Sequence, residues 1–283
     1  MVRRRVMIAV GGLLLLAAAW WWLRPGSQRP AEALQEAAAP PQPAQREAII
    51  DVAEAPGPAA PSGELAAPGA GEPFTITVAG GMSAPARLWR AASPTAPLLL
   101  LLPDDATAAT EWQALVEVLR QVRDYHLVAW EGPGRLGIAA AGGGELRHLV
   151  VAEAALAQLR RMARLKPSAF GLIGVGKGGA AALLLLADRD DLKAAVAISP
   201  PPRLGTIALA DVLAVLGRRQ LMAAAAKDDL AGSEVLASLA DLPHARRVVA
   251  AGDGQGLALL KGDPRLAPTI NGWLFAAMGP VAR

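Results

Sequence analysis

Between residues 174 and 179 the chain reads Gly-Val-Gly-Lys-Gly-Gly, at the end of an apolar run and the start of a helical period. Glycines at that spacing let backbone N–H groups approach an anion at a helix N-terminus. Gly174, Gly176 and Gly179 match the dinucleotide turn, but that turn needs an acidic residue at the end of the next strand, and here Ser199-Pro200 stands there. Gly171 to Lys177 matches the phosphate-cradling G-x-x-x-x-G-K. However, Gly178 replaces the Ser or Thr that would hold Mg²⁺, and Gly171 lies inside the strand. Neither nucleotide reading stands, and no cofactor is expected.

A second set of candidates is polar. Asp104 and Asp105, Glu131, Asp228 and Asp229, and Asp253 with Gln255 each follow an apolar run. With Lys177 they should line one edge of a sheet. Their spacing matches no cation loop, so no metal is expected, and a Lys177–Asp pair among solvated acids is the plainer arrangement. Cysteine is absent, which removes thiolate ligands and a Cys nucleophile. Histidine, the usual general base, occurs three times, at 126, 148 and 244. His126 begins a strand, His148 lies near a helix start and His244 precedes the last strand, so each is read as packed or solvated.

The elements that must position these groups follow from hydrophobic period. Phe74–Val78 and Ala86–Ala91 alternate like half-buried strands and form a hairpin across Gly80-Gly81. Leu98 to Leu102 is wholly apolar, as suits a strand buried on both faces. Further strands are predicted at 126–130, 168–174, 194–199, 220–226 and 247–251. Helices are predicted at 112–122, 147–164, 179–188, 206–217, 231–240 and 266–277. Strands separated by helices pair in parallel through right-handed crossovers. The fold class is therefore α/β, a three-layer sandwich with a mostly parallel sheet of about eight strands. In such a sheet sites form at the carboxyl ends of the strands.

Ahead of this domain, assigned to 74–283, two segments differ in kind. Arg3-Arg4-Arg5 precedes an uncharged run from Val6 to Leu23 that ends in Trp20-Trp21-Trp22. As a helix the run spans roughly 27 Å, close to a hydrocarbon core. The Arg cluster and the Trp belt orient it with its N-terminus in the cytoplasm. Residues 1–24 are thus a membrane anchor, or alternatively a signal peptide with Ala17-Ala18-Ala19 as its cleavage site. Either way the remainder is exported, giving a single-pass inner-membrane protein with a periplasmic domain. Residues 25–73, rich in Pro and Ala, read as a disordered linker; Glu47 to Ala53 has some strand character and could dock on a partner, though slightly apolar tether is the plainer reading. Hydrophobic residues at 53% and charged residues at 19% exclude a disordered chain. A net charge of +3 without a basic cluster excludes a nucleic-acid partner.

A third interpretation of the glycine turn is the G-x-S-x-G elbow, and with it the chain resembles the α/β-hydrolase family, most closely its dienelactone-hydrolase-like and esterase-like branches. The resemblance covers most of 74–277. Leu98 to Asp104 stands where the family has a strand followed by His-Gly, and Gly132-Pro-Gly-Arg-Leu136 resembles its G-x-G-x-S loop. Leu172 to Gly179 resembles the elbow, Leu221 to Leu230 the strand and acid loop, and Val248 to Leu257 the last strand and His loop. The resemblance implies that Gly176 occupies the nucleophile position, Asp229 or Asp228 the acid position and Gln255 the base position. It implies oxyanion donors at the Lys177 amide and near Asp104, with Asp104, Asp105, Glu131 and Lys177 around them. Without nucleophile and base, the chain is expected to be a non-catalytic binding or assembly module for an envelope protein or a small-molecule ligand. The alternative is an active serine-type esterase with a rearranged triad, drawing on Ser199 or on Ser83, Ser93 or Ser168.

Overall fold

The computed structural model describes residues 69–78, 82–135 and 146–279. The anchor, most of the linker and the 47–53 patch lie outside them. Ten strands and seven α-helices are described in order: β1 (Glu72–Thr77), β2 (Ser83–Trp89), β3 (Leu98–Leu102), α1 (Gln113–Val122), β4 (His126–Trp130), α2 (Arg147–Arg161), β5 (Phe170–Val175), α3 (Lys177–Asp188), β6 (Leu192–Ile198), β7 (Arg203–Leu204), β8 (Ile207–Ala208), α4 (Leu209–Leu213), β9 (Gln220–Ala226), α5 (Leu230–Ser238), β10 (Ala245–Ala250), α6 (Leu257–Gly262) and α7 (Leu266–Ala277). A 3₁₀ turn, Ala109–Trp112, leads into α1. Among the described residues no helix is long and apolar enough to cross a membrane.

Eight strands form one sheet in the order β1-β2-β4-β3-β5-β6-β9-β10. The β1–β2 hairpin is antiparallel and joins β4 antiparallel; every pairing from β4 to β10 is parallel. The reason lies in side-chain pattern. Leu98, Leu100 and Leu102 of β3 pack into one apolar layer with α2 to α5, while Leu99 and Leu101 pack into the other with α1, α6 and α7. All five are fully buried. Burying each such side chain is worth roughly 1.5–3 kcal/mol, enough to offset ordering a strand that has no polar face. The resulting order puts β3 and β6 on either side of β5 and β9 beyond β6, so the loops after β3, β5, β6 and β9 meet at one edge.

Two elements differ from the sequence expectation. The stretch 206–217, expected as one helix, is a small antiparallel β7–β8 ribbon followed by the five-residue α4. Gly205 takes a left-handed φ of 60° in the tight turn that pairs Arg203–Leu204 with Ile207–Ala208, so residues 207–208 are extended and the helix starts only at Leu209. The segment 257–262, for which no element is predicted, forms α6, with Leu259 fully buried against the second layer.

Candidate functional site at the carboxyl edge of the sheet

Gly176 sits between β5 and α3 with φ 53° and ψ −126°. Its N–H donates to Ile198 O at 2.9 Å, which ties the turn to β6. Helix α3 then begins with no side-chain cap from residue 176. The missing acceptor arrives from the loop after β3: Asp104 Oδ1 accepts the Lys177 N–H at 3.1 Å, across 73 residues of sequence. A carboxylate at a helix N-terminus satisfies an orphan donor and complements the helix dipole. The same carboxylate fills the space above Gly176. A Cβ built there would lie 2.5 Å from Asp104 Cγ and Oδ2 and 2.8 Å from Oδ1.

The second oxyanion donor expected from sequence, the Asp104 amide, is turned inward and donates to Thr107 Oγ1 at 3.2 Å. Both expected donors are therefore engaged within the chain. Beside them Lys177 Nζ donates to Asp105 Oδ2 at 2.7 Å. Glu131 pairs with Arg135 at 3.0 Å. Gly134 donates its N–H to Asp105 O at 3.0 Å, holding the 131–135 loop against the 104–105 loop.

Sequence reasoning did not bring His148 to this edge. Its Nε2 lies 3.5 Å from Asp105 Oδ1, just outside hydrogen-bond geometry, and the ring is 2% exposed. Burial pushes the His148 pKa below the ordinary imidazole value, against the opposing pull of Asp105 and Asp104. Burial alone would raise Asp105, but the Lys177 hydrogen bond and the nearby positive groups outweigh it and hold its carboxyl below the usual range. At neutral pH His148 is thus neutral and Asp105 ionised. The available signal was topological: α2 follows β4, so its first turn starts at the carboxyl edge.

A second corner lies beyond β6. Asp229, buried, follows β9 and caps α5, its Oδ1 accepting the Gly232 N–H at 3.0 Å. The same oxygen accepts from Gln255 Nε2 at 3.1 Å, while Oδ2 has no partner among the described residues. Asp228 is exposed, as is Asp253. Of the two acids that the sequence left open, Asp229 is the one in contact with Gln255. Gly256, next in line, opens α6 with φ 59° and ψ −132° and donates its N–H to Ser199 Oγ at 3.0 Å. Ser199 is 8% exposed and is the one described non-glycine residue with a left-handed φ, 51°.

His126 opens β4 at the opposite end of the sheet, where its Nδ1 accepts the Ala91 N–H at 3.0 Å. Burial lowers its pKa. His244 precedes β10 at that same end. Among the described residues no group of His, Asp and Glu gathers as a metal site. Two surface cavities, one beside β10 and one beside His126, both lie away from the Gly176 and Asp229 corners.

No family model matches the chain, and no curated protein matches it. Solved structures do. An esterase of Pyrococcus furiosus superposes with TM-score 0.59 at 15% identity, covering 74% of this chain and 93% of the esterase. A dienelactone hydrolase from Anabaena variabilis gives 0.57 at 16%, covering 74% and 98%. An acylaminoacyl peptidase of Pyrococcus horikoshii gives 0.58 at 11%, covering 75% of this chain and 42% of the peptidase.

Proposed function

We propose that this chain, which carries the α/β-hydrolase fold, is a non-catalytic binding or assembly module. It is tethered to the cytoplasmic membrane through residues 6–23 and faces the cell envelope. One observation carries the reading: the Asp104 carboxylate takes both the space above Gly176 and the Lys177 amide. Acyl transfer on this scaffold requires a nucleophile in that space and free N–H donors for the oxygen that becomes negative. Here a fixed carboxylate would oppose the developing charge. Gln255, on the buried acid Asp229, keeps a hydrogen bond of the acid–base type, but an amide does not cycle a proton near neutral pH.

The test uses the purified full-length chain in a nonionic detergent with p-nitrophenyl acetate, p-nitrophenyl butyrate and a fluorophosphonate probe. The expected result is no turnover above buffer and no covalent labelling. The second reading, a hydrolase with rearranged groups, is favoured by the His148–Asp105 contact and by the left-handed backbone of Ser199. Labelling at Ser199, or turnover lost in His148→Gln, would replace the first reading with the second. Tethering is checked separately: the chain should stay in the membrane fraction after an alkaline carbonate wash, and a soluble, shorter product would indicate signal cleavage instead.

A further inference from the structure

Strand β10 ends the sheet and, among the described residues, pairs with β9 alone. Its outer edge therefore offers a row of main-chain donors and acceptors to any extended chain. The strand alternates: Ala245 packs toward the layer that contains α5, and Val248 toward the layer that contains α7. Beside this edge Leu236 and Ala237 of α5, with Ala245, Arg247 and Val249 of β10, line a cavity of about 630 Å³. Val249 is 66% exposed, an unusual state for a valine within a sheet. Arg246 and Arg247 are both exposed, and no ion pair among the described residues engages either of them.

We propose that this edge docks an extended acidic segment of another protein, which adds to the sheet beside β10. Main-chain hydrogen bonds would hold it in strand form, its carboxylates would pair with Arg246 and Arg247, and an apolar side chain on the α5 side would cover Val249 and enter the cavity. The same arginines select against a second copy. Antiparallel self-pairing of β10 would set the arginines of two copies near one another with no carboxylate between them, so charge favours a carboxylate-bearing occupant over the strand itself. The inference stands on β10 alone and does not rest on the reading of the Gly176 corner.

The probe is a fluorescein-labelled, end-capped peptide of sequence Glu-Glu-Val-Glu-Glu-Glu-Val-Glu, which as a strand carries glutamates on both faces and valines on one, titrated with the full-length chain in nonionic detergent and followed by anisotropy. Binding is expected, with affinity falling at least tenfold in the double variant Arg246→Glu/Arg247→Glu. That variant should instead prefer the matching lysine–valine peptide. Arg246→Gln/Arg247→Gln, which reverses no charge, should lose affinity without acquiring the lysine preference, and circular dichroism should show both variants folded. N-methylation of alternate backbone nitrogens in the peptide should abolish binding while leaving its charge intact. Absence of binding by the glutamate peptide, equal binding of its N-methylated form, or indifference to charge reversal would overturn the proposal. A concentration-dependent dimer of the chain that the same reversal dissociates would also overturn it, in favour of a second copy.

Discussion

Two corners of one sheet edge carry a helix-capping carboxylate, and they are built in opposite ways. At the acid corner Asp229 caps its own helix, α5, across three residues, and its remaining capacity takes up Gln255. At the Gly176 corner the cap of α3 comes from Asp104 in the loop after β3, and it closes the space over the turn. Gly176 and Gly256 sharpen the contrast. Their dihedral angles are nearly the same, 53° and −126° against 59° and −132°. Yet a Cβ at Gly256 would meet only Val175 Cβ, at 3.8 Å, whereas one at Gly176 would collide with a carboxylate. Backbone conformation is thus common to both turns, and what occupies the space above each separates them.

The largest expected effect is at residue 176. Gly176→Ser combines left-handed backbone strain of about 1–3 kcal/mol with overpacking of about 1–3 kcal/mol. Urea unfolding should therefore show a loss of about 2–6 kcal/mol, and Asp104→Gly in the same chain should recover at least about 1 kcal/mol of it. Equal losses for Gly176→Ser with and without Asp104 would show that the carboxylate is not held over the turn. Gly256→Ser carries only the backbone strain, about 1–3 kcal/mol, and Asp104→Gly should leave that loss unchanged.

Removing the caps compares the corners directly. Asp229→Ala should cost about 1–2 kcal/mol, since it strips a buried cap, whereas Gln255→Ala, at an exposed side chain, should cost under about 1 kcal/mol. If Gln255→Ala matched Asp229→Ala, the amide rather than the cap would hold that corner together.

The smallest effect is in pH dependence. His148 has a depressed pKa in the folded chain, so the unfolded chain binds its proton first and stability falls as pH drops from about 6.5 toward the folded value. His148→Gln should flatten that part of the curve and leave only the similar, separate contribution of His126. Asp105 acts in a lower window, because its stabilisation is present above the ordinary carboxylate value of about 3.9 and is lost as pH falls through its depressed folded value. An unchanged profile between pH 5 and 7 in His148→Gln would remove His148 from the buried edge.

Much of the scaffold was legible in the chain. Leu98–Leu102, His126–Trp130 and Gln220–Ala226 form strands over the expected ranges, and Leu266–Ala277 forms the expected helix. The three strands are short, almost wholly apolar runs, as suits strands covered on both faces, whereas the helix is a longer apolar stretch. The 206–217 stretch misled because its apolar residues fit a helix while Gly205 set a turn just before it. The residue types at the site were equally plain: a glycine at 176, an amide at 255 and acids at 104, 105 and 229.

What the sequence by itself determined is therefore the layered α/β scaffold and which chemical groups stand at its carboxyl edge. Periodicity is local and is enforced by burial, residue by residue. Only the tertiary structure decided that Asp104 fills the space over Gly176, that His148 reaches Asp105, and that Asp229 rather than Asp228 meets Gln255. Those contacts join residues tens of positions apart. Strand order and the turn taken by each loop set them, and no local pattern encodes either.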